Sequence, residues 1–350
     1  MKKILKCWCI VVISLFCLCS RGNAKTEQEM IQEYNKWMEI LGPELGGIER
    51  KPVKIFKYQE SWSKRRIIDI CGTVELIFDS ATGELMKIIN TSLGNMRAAE
   101  SSQGKTVPFT LTREDCQAIA AKYFKLITGE QLPDVGGLLE NTWPRSKSGF
   151  VRPSHYILFE YPRFYKGYKF RDETISLGLF AMDGKFETYN KFYRSNSPST
   201  VEVKITVEQA KQKAIEITGK EIKNWVSFLD SFNKKKELQQ LSDRELKRKY
   251  GYSRETLKEL KEKTASLIGL TSKEEKPPYL EIVNLQRDAF HQHYFDMDWY
   301  KKSQEFNPDT RLCWIVRLLY LNKKTKASAA FEVWIDAYDG SFVGGYRPWD

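Results

Sequence analysis

The strongest constraint on the fold is a strand–turn–strand pattern that occurs three times along the chain. Residues 74–85 and 331–342 each combine a β-rich run, a Gly-containing turn and a second run, and 175–186 is a degenerate third copy. Glycine supplies the positive φ that a tight hairpin turn needs. The aspartate near each turn can accept a turn amide. The pattern therefore predicts three β-hairpins.

A helix is predicted upstream of each hairpin. Thr112 and Thr206 stand where an N-cap would be, and a capping-box partner follows each of them three residues later. Cys116 and Ala210 then fall at equivalent positions, so Cys116 is interpreted as a small core residue and not as a reactive thiol. Apolar residues at helical spacing predict the first helix over 26–41.

Two short polar segments rich in Ser, Gly and Pro, 97–108 and 194–200, are interpreted as linkers. In the third unit, 228–276 is predicted to be an insertion of two charged helices between the helix and its strands. The linkers divide the chain into three units: 25–98, 107–195 and 201–350.

The basic charge is concentrated in this insertion. Residues 233–263 hold eleven Lys and Arg against six Asp and Glu, so the rest of the chain is nearly balanced. A uniformly basic surface for nucleic acid is therefore not expected. The insertion is compatible with docking on an anionic surface such as a membrane or a wall polymer, and equally with a solvated helical hairpin.

Residues 1–24 have the layout of a secretory signal peptide. Three lysines precede an apolar run of 13 residues, and small residues stand three and one before a cut after Ala24. A spanning helix needs roughly 20 apolar residues, so cleavage is favoured over an uncleaved N-terminal anchor. We therefore expect a secreted or extracytoplasmic protein.

Cleavage would change both charge and cysteine content. Four basic and no acidic residues lie in 1–24, so the formal net charge would fall from +11 to +7. Four of the seven cysteines would also be lost, leaving Cys71, Cys116 and Cys313. Three cysteines cannot all pair, so a disulfide-stapled scaffold is not expected, and we expect no bridge.

Two motifs resemble the PepSY domain. Thr206-Val-Glu-Gln-Ala210 is similar to the start of its helix, and Val333-Trp-Ile-Asp-Ala-Tyr-Asp-Gly340-Ser-Phe-Val-Gly344 is similar to its final strands. Residues 312–318 look like that family's preceding strand, and 156–168 are similar to the repeated units of YcdB/YcdC-type secreted bacterial proteins. The resemblance implies an α+β fold of tandem PepSY-like units, each a helix packed on a small antiparallel sheet.

The same resemblance implies a bacterial protein that acts outside the cell. Related domains occur in the propeptides of secreted metallopeptidases, where they are thought to inhibit the enzyme or assist its folding. This chain has no His-Glu-x-x-His motif, so any effect on a peptidase would be exerted in trans.

Patterns for catalysis and metal binding are weak. His291 and His293, with Asp296 and Asp298, could form a metal site because i and i+2 side chains share a strand face, but a surface histidine pair is favoured. The remaining histidine, His155, has no nucleophile motif beside it, and nucleophilic catalysis needs an oriented base. No catalytic, metal-binding or cofactor-binding residue is assigned, and no cofactor is expected.

Aromatic and basic residues interleave in 164–171 and 189–194. Platforms that stack single-stranded nucleic acid or sugars have this composition. Ordinary strand alternation, with aromatic side chains toward the core and basic ones toward water, explains the same composition and is the favoured interpretation.

We therefore expect an exported, non-enzymatic binding protein that modulates or inhibits extracellular peptidases. The alternatives are a binder of anionic cell-envelope polymers or the membrane surface through 228–276, and an unrecognised hydrolase. The sequence assigns no nucleic-acid partner and leaves the oligomeric state open.

Overall fold

The computed structural model describes residues 26–44, 51–59, 66–144, 149–193, 195–285 and 308–346. The chain divides into two compact units. The N-terminal unit comprises Met1–Pro162 and Thr174–Tyr193, and the C-terminal unit comprises Arg163–Glu173 and Arg194–Asp350. The predicted signal peptide lies outside the described residues. The division into three units stays a prediction.

The N-terminal unit is a mainly antiparallel sheet with helices on one face. Its main sheet has the order β1-β2-β3-β4-β10-β9, and β8 pairs with β9 and β6. A separate two-stranded sheet joins β5 and β7. The helices are α1 (Glu27–Leu41), α2 (Thr91–Ser102) and α3 (Arg113–Thr128), with a 3-10 turn at Gly42–Glu44. The strands are β1 (Lys54–Gln59), β2 (Arg66–Cys71), β3 (Glu75–Asp79), β4 (Leu85–Ile89), β5 (Val107–Pro108), β6 (Gly137–Leu138), β7 (Phe150–Val151), β8 (Tyr156–Tyr165), β9 (Tyr168–Phe180) and β10 (Phe186–Lys191).

The C-terminal unit contains the beginning of β9, up to Glu173, and all later elements. Its strand order is β9-β11-β12-β13-β14, with a single parallel pair between β9 and β11 and antiparallel pairing elsewhere. The helices are α4 (Val207–Lys234), α5 (Lys236–Gln239), α6 (Asp243–Tyr250) and α7 (Arg254–Ala265), and the strands are β11 (Lys273–Asn284), β12 (Thr310–Asn322), β13 (Ala327–Asp336) and β14 (Phe342–Tyr346). The predicted α+β class is confirmed.

Three helices begin with a threonine capping box, and α6 begins with the corresponding serine box at Ser242. At Thr26, Thr112 and Thr206 the threonine Oγ1 accepts a bond from the backbone N–H three residues later, and that residue's side chain accepts from the threonine N–H. Each box pairs two donors that the first helical turn leaves without intrahelical partners. The boxes at Thr112 and Thr206 confirm the helix starts predicted from the sequence.

The three predicted hairpins are present as β3–β4, β9–β10 and β13–β14. Each turn contains a left-handed glycine, Gly83, Gly184 or Gly340, at φ of 68°, 70° and 72°. Asp79 and Asp336 each accept two turn amides through Oδ1, as the pattern predicts. In the degenerate copy Phe180 takes that position, although its carbonyl still accepts the N–H of Gly184 at 2.8 Å.

Two of these turns pack against the start of a helix at matching positions. A Cβ added to Gly184 would lie 2.6 Å from Ile119 Cδ1 and 3.5 Å from Leu111 Cδ1. A Cβ added to Gly340 would lie 3.1 Å from Ile205 Cδ1 and 3.0 Å from Lys213 Cε. Leu111 and Ile205 each precede the N-cap threonine, and Ile119 and Lys213 each lie seven residues after it. Helix and hairpin are therefore joined in the same way twice.

Two parts of the predicted organisation are wrong in detail. The first half of the predicted linker 97–108 is helical, because α2 extends to Ser102 and buries Leu93 and Arg97. The insertion 228–276 does not begin with a new helix, because α4 continues without interruption to Lys234. The second half of α4 instead forms a small core with α5, α6 and α7, built from Trp225, Leu229, Phe232, Leu238, Leu246 and Leu257.

Among the described helices, none combines the length and apolar character required to cross a bilayer.

The packing of the hairpin turn on α3 predicts unequal effects for two Gly→Ala substitutions. Gly129→Ala meets nothing within 4 Å at φ +77°, so it should cost only the left-handed strain of roughly 1–2 kcal/mol. Gly184→Ala has the same strain at φ +70° and also displaces Ile119 Cδ1, the end of a flexible side chain, which should add about 0.5–1.5 kcal/mol. Urea unfolding followed by fluorescence compares the two. Equal losses of unfolding free energy would contradict the packing described here.

Candidate functional site

The sheet of the N-terminal unit has one face packed on helices and one face that carries charged side chains. We call the second the open face. Its register places Asp69, Ile77, Lys87 and Asn190 in one row across β2, β3, β4 and β10. Asp69, Lys87 and Asn190 are half-buried. A row of titratable and amide side chains on one sheet face is a candidate for polar recognition.

A second row on the open face contains Cys71 and Glu75, which are register partners on β2 and β3. Burial, followed by the hydrogen bond from its Sγ to Asp69 Oδ1 at 3.0 Å, raises the pKa of the Cys71 thiol to about 12. Burial and the charge of Asp69 also raise the pKa of Glu75, although Lys87 opposes them. The Cys71 thiol stays protonated near neutral pH, so it is a poor nucleophile.

Glu187 lies at the irregularity between β10 and β9 on the same face. One carboxylate oxygen lies 2.7 Å from the position a Cβ on Gly178 would take, so the absence of a side chain at 178 makes room for it. Burial raises the pKa of Glu187 to about 7, while the ammonium of Lys87 acts in the opposite direction. Its protonation therefore changes within the physiological pH range.

The open face ends at β1, the outermost strand of this sheet among the described residues. Five of the six residues of β1 are exposed, and Phe56 is 49% exposed. Lys54 and Phe56 pair with Cys71 and Asp69 in register, so their side chains lie on the open face. Ile55 points to the helix side and packs on the core. Sequence reasoning missed this edge, although the alternation in Lys54–Gln59 was a usable signal.

The C-terminal unit has a more enclosed charged cluster on the face of its sheet away from α4. Arg171 Nη1 lies 2.9 Å from Glu281 Oε2, and its Nη2 lies 2.5 Å from Glu332 Oε1. Arg317 Nε donates to Glu332 Oε2 at 2.8 Å, and Trp334 Nε1 donates to Glu332 Oε1 at 2.8 Å. We call these residues the Glu332 network.

The Glu332 network is satisfied internally. Burial disfavours the charge on Arg171, but Glu332, Tyr279 and Glu281 outweigh it and leave the pKa of Arg171 raised. Since Glu332 accepts from two guanidinium groups and one indole, removing it would leave two half-buried cations without their shared counterion. The network is therefore interpreted as a structural clamp across β9, β11, β12 and β13.

A third charged feature is the helical insertion. The last turn of α6 holds Lys247, Arg248 and Lys249, which are all exposed. Elsewhere in the insertion, Asp230 forms ion pairs with Lys234, at 2.7 Å, and with Lys261. The last turn of α6 is thus an exposed basic end of the insertion.

The residues weighed from the sequence are not brought into a catalytic group. His155 Nε2 lies 2.9 Å from the carbonyl oxygen of Thr142, which is a structural contact. His291, His293, Asp296 and Asp298 lie outside the described residues. Among the residues that the structure does describe, no group of three or more His, Cys, Asp and Glu side chains could hold a metal ion.

The cysteines predicted to remain after export are free thiols in the structure. Cys116 is fully buried at the position equivalent to the buried Ala210, as the sequence predicts. Burial raises the pKa of Cys116 to about 11 and that of Cys313 well above its usual value. Neither environment favours the reactive thiolate.

The two segments with interleaved aromatic and basic residues follow strand alternation in part. Phe170 and Tyr189 are buried, as alternation predicts. Arg171 differs, because it enters the Glu332 network instead of pointing to water. Lys166 and Gly167 form the turn between β8 and β9, with φ of 49° and 85°, which suits a two-residue hairpin turn.

Comparison with known proteins gives little further information. No family model and no curated protein matches the chain. A solved structure, the Bacillus megaterium YpeB C-terminal domain, aligns over 94% of this chain and 100% of its own length, with 10% sequence identity and a TM-score of 0.39. A likeness at this TM-score supports no inference about fold or function.

The environment of Glu187 predicts a pH-dependent stability. The folded carboxyl keeps its proton up to about pH 7, whereas the unfolded carboxyl loses it near 4.5. Stability from this group is therefore fully present below pH 4.5 and is lost as the pH rises through 7. At about 1.4 kcal/mol per pH unit, the loss is roughly 3 kcal/mol. Glu187→Gln should flatten the unfolding free energy between pH 4.5 and 7.5, measured by urea denaturation. A variant profile as steep as the wild-type profile would contradict this assignment.

Proposed function

We propose that this chain is an exported, non-enzymatic binding protein built from tandem PepSY-like units, and that its partner is a secreted peptidase. The observation that supports a binding role most directly is the exposed strand β1 at the end of the open face. Its main chain, an exposed aromatic ring and lysine side chains are presented together. Neighbouring exposed apolar side chains with polar residues around them are typical of protein interaction sites. On β1 these side chains are Phe56 and Tyr58.

Local equivalences support the tandem arrangement. Each of the three helices with a threonine capping box buries the residues four and eight positions after the cap, namely Met30 and Tyr34, Cys116 and Ala120, and Ala210 and Ala214. Each of these helices is followed along the chain by one of the three glycine-turn hairpins. A helix–hairpin unit used three times accounts for these shared positions.

The chemistry of the described thiols and of Glu332 also favours binding over nucleophilic catalysis. The three described thiols have raised pKa values, and the carboxylate of Glu332 is fully engaged by donors. Catalytic nucleophiles are instead activated by a lowered pKa or an adjacent base. The unrecognised hydrolase stays a prediction.

The test uses the chain from residue 25 to 350 and the proteins secreted by its own organism. The immobilised chain should retain a peptidase, and the free chain should change the rate of secreted proteolysis in a dose-dependent way. Heat-denatured chain is the control. If no peptidase is retained and the rate of proteolysis stays constant up to saturating protein, the proposed function is wrong.

A second candidate, a binder of anionic envelope polymers, is favoured by the exposed basic turn of α6. Lys247, Arg248 and Lys249 follow Leu246 along α6. Leu246 is buried in the small core that the insertion forms with the second half of α4. Such a surface attracts polyanions, and the attraction weakens as salt increases.

Charge neutralisation distinguishes this candidate. Deleting 228–276 would expose Trp225 and remove part of α4, so point variants are preferable. Replacing Lys247, Arg248 and Lys249 by Gln should abolish sedimentation with purified cell walls at low salt. The matched control replaces Lys323, Lys324 and Lys326, which are exposed in the β12–β13 turn of the same unit, and should leave sedimentation unchanged. Equal behaviour of the two triple variants would exclude the basic turn as the polymer site.

A further inference from the structure

We propose that the outer edge of β1 accepts an extended, acidic polypeptide segment as an additional antiparallel or parallel strand. The proposal rests on the proposed binding function and gives it a mode of recognition. Strand addition at an exposed sheet edge takes its affinity from main-chain hydrogen bonds and its specificity from alternate side chains.

The edge has the geometry that strand addition needs. β1 pairs with β2 through six consecutive residue pairs, from Lys54–Cys71 to Gln59–Arg66, without a register shift. Among the described residues, β2 is its sole strand partner. In a paired strand, half of the main-chain N–H and C=O groups point away from the neighbour. Over residues 54–57, the regular strand presents them in line to a second segment.

The edge carries two lysines, Lys54 and Lys57, but no other usual protection against pairing. Natural edge strands are commonly blunted by lysines, a bulge, a proline or an inward-pointing charge, and an acidic segment would neutralise the lysines. β1 has no bulge, and its one proline neighbour, Pro52, precedes the strand. Phe56 projects 49% exposed from the open face, and Val53 is 41% exposed just before the strand. An exposed aromatic residue at this point adds apolar contact area for an incoming strand.

The charge of the edge selects an acidic occupant. Residues 51–59 contain Lys51, Lys54 and Lys57 and no acidic residue. Lys57 already forms an ion pair with Glu27 of α1, which shows that a carboxylate fits on the helix side. Lys54 lies on the open face beside Phe56 and is exposed. Cross-strand pairs of opposite charge stabilise pairing, whereas like charges oppose it.

The same charge disfavours a second copy of this chain as the occupant. In any register, a pair of β1 strands would bring together two 51–59 segments that each carry three lysines and no acidic residue, and the antiparallel pair centred between Ile55 and Phe56 would place Lys54 directly opposite Lys57. Like charges in directly opposed positions destabilise a strand pair. The complementary occupant therefore alternates apolar residues with Asp or Glu.

The experiment measures binding of a labelled peptide, acetyl-(Val-Glu)5-amide, to the 25–350 chain by fluorescence anisotropy at low salt. Three peptides separate the contributions: (Val-Glu)5, (Val-Lys)5 for charge, and (Val-Glu)5 with every second amide N-methylated for main-chain hydrogen bonds. The first should bind at least tenfold more tightly than either of the others. Raising the salt should weaken its binding, because the charges are exposed.

Protein variants locate the site. Phe56→Ser and Lys57→Glu should each weaken (Val-Glu)5 about tenfold, because Phe56 and Lys57 lie on opposite faces of β1, as Val and Glu do in this peptide. The matched controls are Phe150→Ser, whose ring is 48% exposed on β7, and Lys122→Glu on α3, and both should bind like the wild type. Circular dichroism and the melting temperature verify that each variant is folded. A folded Phe56→Ser variant with wild-type affinity, or equal binding of the N-methylated peptide, would overturn the proposal.

The outcomes also separate this proposal from the proposed function. If Phe56→Ser loses the peptide but still alters secreted proteolysis, then the peptide-binding edge is supported as a site distinct from the peptidase contact. If the chain retains a peptidase but never binds (Val-Glu)5, strand addition is wrong and the proposed function stands. If it binds the peptide through β1 and affects no secreted peptidase, the edge stands and the peptidase role is wrong.

Discussion

The structure depends on the close packing of a helix against one face of each sheet, which small side chains on the helix permit. Cys116 and Ala120 on α3, and Ala210 and Ala214 on α4, are fully buried at matching distances from their N-caps. In the C-terminal unit these alanines share a core with Val316, Val333 and Ile335. A larger side chain at any of these positions would separate helix from sheet. This packing fixes which face of every strand is buried.

Once one face is committed to helices, the period of two along each strand places the charged residues on the other. The two units use that other face differently. In the C-terminal unit, Glu332 holds Arg171 and Arg317 together and leaves few donors unoccupied. In the N-terminal unit, Glu187 is half-buried and Lys54 and Phe56 are exposed. The N-terminal unit therefore has the stronger case for external recognition.

The capping boxes and hairpin turns could be predicted from the sequence because each depends on residues that are close together along the chain. The capping boxes at Thr112 and Thr206 and the hairpin turn at Gly340 depend on residues a few positions apart. The linker at 97–108 was partly wrong because the polar residues that suggested it also occupy the exposed side of α2. The Glu332 network could not be predicted, since Arg171, Glu281 and Glu332 lie on strands far apart in sequence. The β1 edge was missed because exposure depends on the strand order of the sheet.

We propose that recognition occurs at the β1 edge of the N-terminal unit. Backbone amide hydrogen exchange, measured with and without (Val-Glu)5, tests this proposal, because an added strand protects the amides it bonds. Binding at this edge predicts slower exchange in residues 53–57, with no change in β10 or in α6. Protection confined to α6, or no protection anywhere at saturating peptide, would contradict it.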